Sequence, residues 1–208
     1  MTLKKIREYE SKEKYIQHQI SKTSQPKLLK HLKGKSKGRE AVFKDHFEYA
    51  MNYGCLKAGY KALCMGARSG EEVRALKSLR VDAIGIDLYP LSKDVIEMDF
   101  LDLRYEGETF DMIYSNSMDH AMDLDGFLEE AFRCLKNKGF IIFDVFPGEG
   151  NVGECEVYEL DVLEIIKLMC DDFFMELCSV NAKLKRMYRG DHKETQLIFR
   201  KGTQENKK

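Results

Sequence analysis

The stretch 61–146 most narrows what this chain can become, because short apolar runs alternate there with longer amphipathic ones. "KALCM" reads as a strand, and a glycine-containing loop leads from it into a helix carrying Val73, Leu76 and Leu79. "VDAIGID" (81–87) reads as a second strand, "DVIEMD" (94–99) as a third and "TFDMIYS" (109–115) as a fourth. In "DGFLEEAFRCLKNKG", Phe127, Leu128, Ala131, Phe132 and Leu135 share one helical face, and Gly139 suits the helix end. "FIIFDVF" (140–146) is a continuous apolar run of the kind a parallel sheet buries on both faces. Such alternation implies a doubly wound α/β sheet with right-handed crossovers and helices on both faces. Ligands of such sheets bind beyond the carboxyl ends of the strands, where the strand order reverses.

The flanks read differently. The first sixty residues are helix-like, with Pro26 as a break and "GKSKGR" (34–39) as a flexible basic linker. Phe43, Phe47, Ala50 and Met51 then fall on one helical face. After residue 146 come a glycine-rich loop, "PGEGNVGE", and a helix marked by Val162, Ile165, Ile166 and Met169. Two strands, 173–180 and 195–200, enclose the basic loop "KLKRMYRGDHKE". The expected organisation is a basic helical extension over 1–58, the α/β domain over 59–202 and a polar tail over 203–208.

Charge sharpens that division. Residues 1–44 hold thirteen Lys and Arg against four Asp and Glu, whereas the whole chain carries a net charge of −1. The excess has three readings: a solvated face, a phosphate-binding patch for RNA or another polyanion, and contact with an anionic membrane. Lys27, Lys30, Lys33, Lys35, Lys37 and Arg39 would form the phosphate patch. Leu29 and Leu32 give little apolar area for a membrane surface. No apolar run approaches the eighteen or so residues of a membrane span, and the N-terminus lacks a signal-peptide core. The six cysteines form no C-x-x-C pair, so free thiols in a reducing cytoplasm are expected.

The loop "CMGARSGEE" decides which nucleotide the sheet could hold. No G-x-x-x-x-G-K-[ST] string exists, which removes the phosphate-cradling P-loop. A dinucleotide loop would need glycines at 66, 68 and 71, where the chain has Gly66, Arg68 and Glu71. Glu71 and Glu72 suit a helix N-terminus but repel a pyrophosphate there. The ligand at this loop should therefore carry no phosphate.

One family does fit these residues. "ALCMGARSG", "GIDLYP" and "EMDFLDL", followed by "ETFDMIYSNSMDHAMDLDGFLEEAFRCLKNKGFIIFDV", resemble the class I S-adenosylmethionine-dependent methyltransferases. The resemblance covers about residues 60–146, with a seven-stranded completion to 200. It implies a mostly parallel, Rossmann-like sheet and S-adenosyl-L-methionine as cofactor. By the same resemblance Gly66, Ala67, Arg68 and Gly70 form the cofactor loop. Asp87, 21 residues after Gly66, would hold the ribose hydroxyls with Leu88 beside it. Asp99 and Phe100 would read and shield the adenine, with Asp102 as a rival acid. Ser115 and Asn116 would close the cofactor site after the fourth strand.

Two positions depart from the family pattern: Arg68 replaces the middle glycine, and Cys64 replaces an acid that helps hold the methionine ammonium. Arg68 has two readings, reaching the cofactor's carboxylate or facing solvent. His120 follows the fourth strand with Asp119 and would be a general base for a hydroxyl or acid acceptor; a packing role is the alternative. The chain lacks [DN]-P-P-[YFW], which disfavours an exocyclic base nitrogen as acceptor. Asp144, inside an apolar strand, reads as a structural hydrogen-bonding residue. Methyl transfer to an unidentified acceptor, small molecule or RNA, is the expected activity. A methyltransferase-fold protein that binds nucleic acid or protein without catalysis stays open beside it.

Overall fold

Side chains alternate across the sheet, so each strand feeds two cores. The computed structural model of the chain describes residues 3–147, 155–182 and 194–202. Its sheet runs in the order β4 (Val95–Glu97), β3 (Asp82–Asp87), β2 (Lys61–Met65), β5 (Phe110–Ser115), β6 (Leu135–Val145), β9 (Thr195–Lys201), β8 (Met175–Asn181). The first five of these are parallel, and β9 runs antiparallel to both of its neighbours. This is the expected doubly wound, mostly parallel seven-stranded sheet. Order reverses between β2 and β5, so the crevice at their carboxyl ends is where a ligand belongs. A separate ribbon pairs β1 (Lys4–Lys5) with β7 (Tyr158–Glu159).

Among the described residues five α-helices flank the sheet: α1 (Lys12–Thr23), α2 (Pro26–Asn52), α3 (Glu71–Ser78), α4 (Leu124–Cys134) and α5 (Val162–Lys167). One π turn, Leu168–Asp172, extends α5. Leu63 and Met65 of β2, Ile113 of β5, and Ile141 and Phe143 of β6 pack into one core with Phe127, Leu128 and Ile165. The intervening residues Ala62, Cys64, Met112, Tyr114 and Ile142 face the other core, with Phe43, Phe47, Val73 and Leu76. That period of two is why the apolar runs fold as strands covered on both faces.

A buried polar network ties these layers together. Asp144 accepts hydrogen bonds from the Tyr114 hydroxyl (2.6 Å) and from Gln196 Nε2 (2.9 Å), and His46 Nδ1 lies 2.8 Å from it. These four residues come from α2, β5, β6 and β9. Asp144 is thus the structural residue the sequence indicated. Burial and the adjacent carboxylate hold the Tyr114 hydroxyl well above its ordinary pKa.

Two sequence expectations are corrected. The segment 34–39 is not a linker: α2 runs through it without a break. Helical Gly34 and Gly38 cost about 1 kcal/mol each relative to alanine. Packing and side-chain ties offset this: Phe43 and Phe47 are fully buried, and Arg74 of α3 fastens the middle of the helix. Its Nε donates to Glu40 Oε2 (2.9 Å) and its Nη2 to Ser36 Oγ (3.0 Å). Pro26 sits in the first turn of α2, which tolerates a missing N–H. The second correction concerns Gly139, which does not end α4. The helix stops at Cys134, and Leu135 turns extended to pair with Phe110. Gly139 lies within β6 beside a register shift. A Cβ there would fall 2.9 Å from the carbonyl oxygens of Asp111 and Lys136, so only glycine fits.

The glycine-rich loop (148–154), the basic loop (183–193) and the polar tail (203–208) lie outside the described residues. All six cysteines are free, four of them buried. No helix among the described residues is long and apolar enough to cross a membrane.

Candidate functional site

The loop between β2 and α3 is shaped by its backbone. Gly66 adopts φ 80° and Gly70 φ 71°, both in the left-handed region. A Cβ on Gly66 would fall 2.8 Å from Ser117 Cβ, so position 66 must be glycine to let the loop after β5 approach. The amides of Gly66 and Ala67 both donate to Ile86 O (2.9 Å each), and Gly70 N donates to Ala67 O (2.6 Å). Arg68 also has positive φ, 31°. A non-glycine residue there costs on the order of 1 kcal/mol, small beside the stability of a domain.

Asp87 closes β3 and faces this loop. Its Oδ2 accepts from Arg68 N (3.0 Å) and its Oδ1 from Tyr89 N (2.8 Å). Two backbone donors fix the carboxylate while each oxygen keeps a lone pair for a ligand. Burial pushes its pKa up, and the backbone N–H of Tyr89 and the Arg68 charge oppose that rise.

Two joined hollows occupy the crevice. The narrower, about 40 Å³, has Gly66, Arg68, Asp87, Leu88 and Tyr89 as its floor and Phe100, Ser117 and His120 at its sides. Its roof is α1, through Tyr15, Gln19 and Thr23. The wider, about 350 Å³, shares Gly66, Arg68, Ser117 and His120 with it. Ala67, Ser69, Glu72, Asn116, Asp119 and Glu156 add to its wall, as do Lys22, His31 and Arg39 from the N-terminal helices.

The structure therefore brings eight of the sequence-indicated residues to the crevice: Gly66, Ala67, Arg68, Asp87, Leu88, Phe100, Asn116 and His120. Three others stand behind the wall. Gly70 caps α3. Ser115 donates to Met65 O (2.9 Å) and accepts from Ser117 N (3.1 Å), tying β5 to β2 and shaping the turn beneath the site. Asp99 accepts from Leu101 N (2.9 Å) and pairs with Lys12 of α1 at 2.8 Å.

His120 closes the single 3₁₀ turn Met118–His120, and its buried Nδ1 has no hydrogen-bond partner. Asp119 and Glu156 flank it, with one atom of each of the three groups within 4.8 Å of the others. Burial raises the Asp119 pKa, His120 lowers it and Glu156 raises it further. This places an imidazole that lines both hollows beside two carboxylates of the wider one. Arg68 Nε is likewise buried without a partner.

Sequence reading missed the roof. Tyr15, Gln19, Lys22 and His31 reach the crevice from elements distant in the chain, and nothing in their local pattern marks them; Arg39, read as part of the basic patch, reaches it too. Glu72 is a different case: the sequence placed it at a helix N-terminus, and the fold also buries it against the wider hollow.

These features define a Rossmann-like domain with a crevice at its switch point. Residues 63–143 match the family model described as a methyltransferase domain, so the class I methyltransferase resemblance read from the sequence is borne out. No curated protein matches the sequence. Among solved structures, the chain is similar to the Burkholderia thailandensis 1,6-didemethyltoxoflavin-N1-methyltransferase with bound 1,6-didemethyltoxoflavin and S-adenosylhomocysteine. That match has a TM-score of 0.69 and 13% identity, and covers 97% of this chain and 95% of the other. A chain of a complex with the Haloferax volcanii Trm112 methyltransferase activator matches at TM-score 0.63 and 18% identity, covering 82% and 95%. The [4+2]-cyclase SpnF matches at TM-score 0.61 and 15% identity, covering 77% and 81%. At these identities the structures speak for the fold.

Proposed function

We propose that the protein is an S-adenosylmethionine-dependent methyltransferase acting on a small acceptor with a hydroxyl or acid group. The observation that carries this reading is Asp87: a carboxylate held by two backbone N–H groups, opposite the glycine turn, at the sheet's switch point. It suits the two hydroxyls of a ribose, which are donors. Gly66 lines the hollow and lets the loop after β5 close beside it, and Leu88 and Phe100 offer apolar walls to a purine.

When bound, the cofactor supplies a methyl group on a positively charged sulfur. The chain's own residues hold the two reactants in line and exclude water, which is most of what such a transfer requires. Arg68 Nε, buried without a partner beside the hollow, would suit the carboxylate of the cofactor's amino-acid end. His120 would hold and accept the proton of an acceptor hydroxyl at its unpartnered Nδ1. Asp99 serves this site through α1: its pair with Lys12 holds the roof helix over the nucleoside position.

The hollow over Asp87 is narrow beside the roughly 300–1,000 Å³ of small-molecule sites. Lifting of α1 would widen it for a nucleoside. A second reading draws on α2, where Lys27, Lys30, Lys35 and Lys37 are exposed along the helix. Its cationic face suits RNA, as substrate or as the ligand of a non-catalytic binding protein; a Trm112-type activator is the protein partner to try. Transfer of tritiated methyl to small-molecule, protein and RNA fractions separates these possibilities. Label in the small-molecule fraction, lost in His120→Ala, supports the proposal; label confined to RNA, or absent from every fraction, contradicts it.

A further inference from the structure

We propose that Glu72 binds the α-ammonium group at the amino-acid end of the cofactor. The inference rests on the cofactor reading above and names a residue that the glycine loop and Asp87 do not account for. Glu72 stands on the first turn of α3 with only 4% of its surface exposed, and it lines the wider hollow beside Gly66–Ser69. A nucleoside seated on Asp87 would extend its tail along that same loop.

The charge around Glu72 calls for a cation. Burial drives its carboxyl up to about 8, with Glu71 and Asp87 adding to the rise and Arg39 opposing it. A desolvated carboxyl among two others is costly to ionise until a positive group reaches it. The opposite demand lies in the same hollow, where Arg68 Nε is buried without a hydrogen-bond partner. A buried acid and an unsatisfied guanidinium nitrogen on one wall match a zwitterion, ammonium to Glu72 and carboxylate to Arg68.

Cys64 fits the same account. Its thiol is fully buried at the end of β2, and its ionisation is opposed by the nearby Glu72 carboxylate. The acid that position 64 lacks is delivered from the next element instead. An acid at both positions would set two buried carboxylates against each other.

Titration calorimetry with two probes tests this assignment. S-adenosylhomocysteine carries the amino-acid tail; 5′-methylthioadenosine keeps the nucleoside and thioether but lacks the tail. Glu72→Gln keeps the side-chain shape and removes the charge. We expect it to weaken S-adenosylhomocysteine binding by at least about tenfold while 5′-methylthioadenosine binding stays within about twofold of wild type. Unchanged S-adenosylhomocysteine affinity, or an equal loss for both probes, would overturn the assignment. Wild-type protein that binds neither probe would instead remove the cofactor reading on which it stands.

Discussion

Residues 66–70 and 87–89 hold their shape through backbone hydrogen bonds and left-handed turns, whereas α1, which covers them, is tied down by a few side chains. The floor cannot shift without breaking the bonds of Gly66 and Ala67 to Ile86 or of Asp87 to Arg68 and Tyr89. The roof is held through side chains: the Lys12–Asp99 pair, Gln19 Nε2 donating to Cys155 O (3.1 Å), the Tyr9–His18 hydrogen bond (2.8 Å) and the buried Tyr15 and Thr23. On the proposed function, a floor fixed by its backbone would preorganise recognition, and a roof held through side chains would permit exchange. The contrast also explains why Asp87 is fixed in place while the hollow above it is small.

Substitutions in the floor should have the largest effects. Gly66→Val places a branched side chain at φ 80° and against Ser117, so cofactor binding should fall more than about 100-fold. Calorimetry with S-adenosylhomocysteine measures the loss, and circular dichroism checks the fold. Binding within about threefold of wild type would show that the turn does not border the ligand.

Glu72, at the edge of the floor, should set a pH dependence of stability. Its folded pKa of about 8 lies above the ordinary 4.5, so the unfolded chain loses this proton first as pH rises. Its contribution is fully present below about pH 4.5 and is lost between there and about 8, at up to about 1.4 kcal/mol per pH unit. Urea unfolding of the ligand-free protein should show that decline, and Glu72→Gln should flatten it. Identical slopes in the two proteins would count against a desolvated carboxyl at this position.

The roof should give the smallest response at equilibrium. Lys12 is nearly half exposed, so Lys12→Ala should cost less than about 1 kcal/mol of stability. Its effect should appear in kinetics, as a several-fold faster release of S-adenosylhomocysteine in stopped-flow fluorescence. An unchanged release rate would mean that α1 does not gate the crevice.

What could be read from the sequence follows the same division. The floor was legible because it is local: a strand, a glycine turn and an acid 21 residues on all lie within one βαβ unit. The sheet was legible because alternating side chains feed two cores and leave a period of two. The roof was not, since Tyr15 and Thr23 meet Asp87 only through long-range packing. Continuity of α2 was hidden for a related reason. Gly34 and Gly38 argue locally for a linker, and the ties that hold the helix come from Arg74, far along the chain. Lys12 is likewise the partner of Asp99 only in three dimensions.

Calorimetric titration of S-adenosylmethionine into wild-type protein and Asp87→Ala tests the central claim most directly. A carboxylate clasping the ribose predicts saturable one-to-one binding in the wild type that the substitution removes. Equal binding by both proteins, or no heat from either at millimolar ligand, would contradict it.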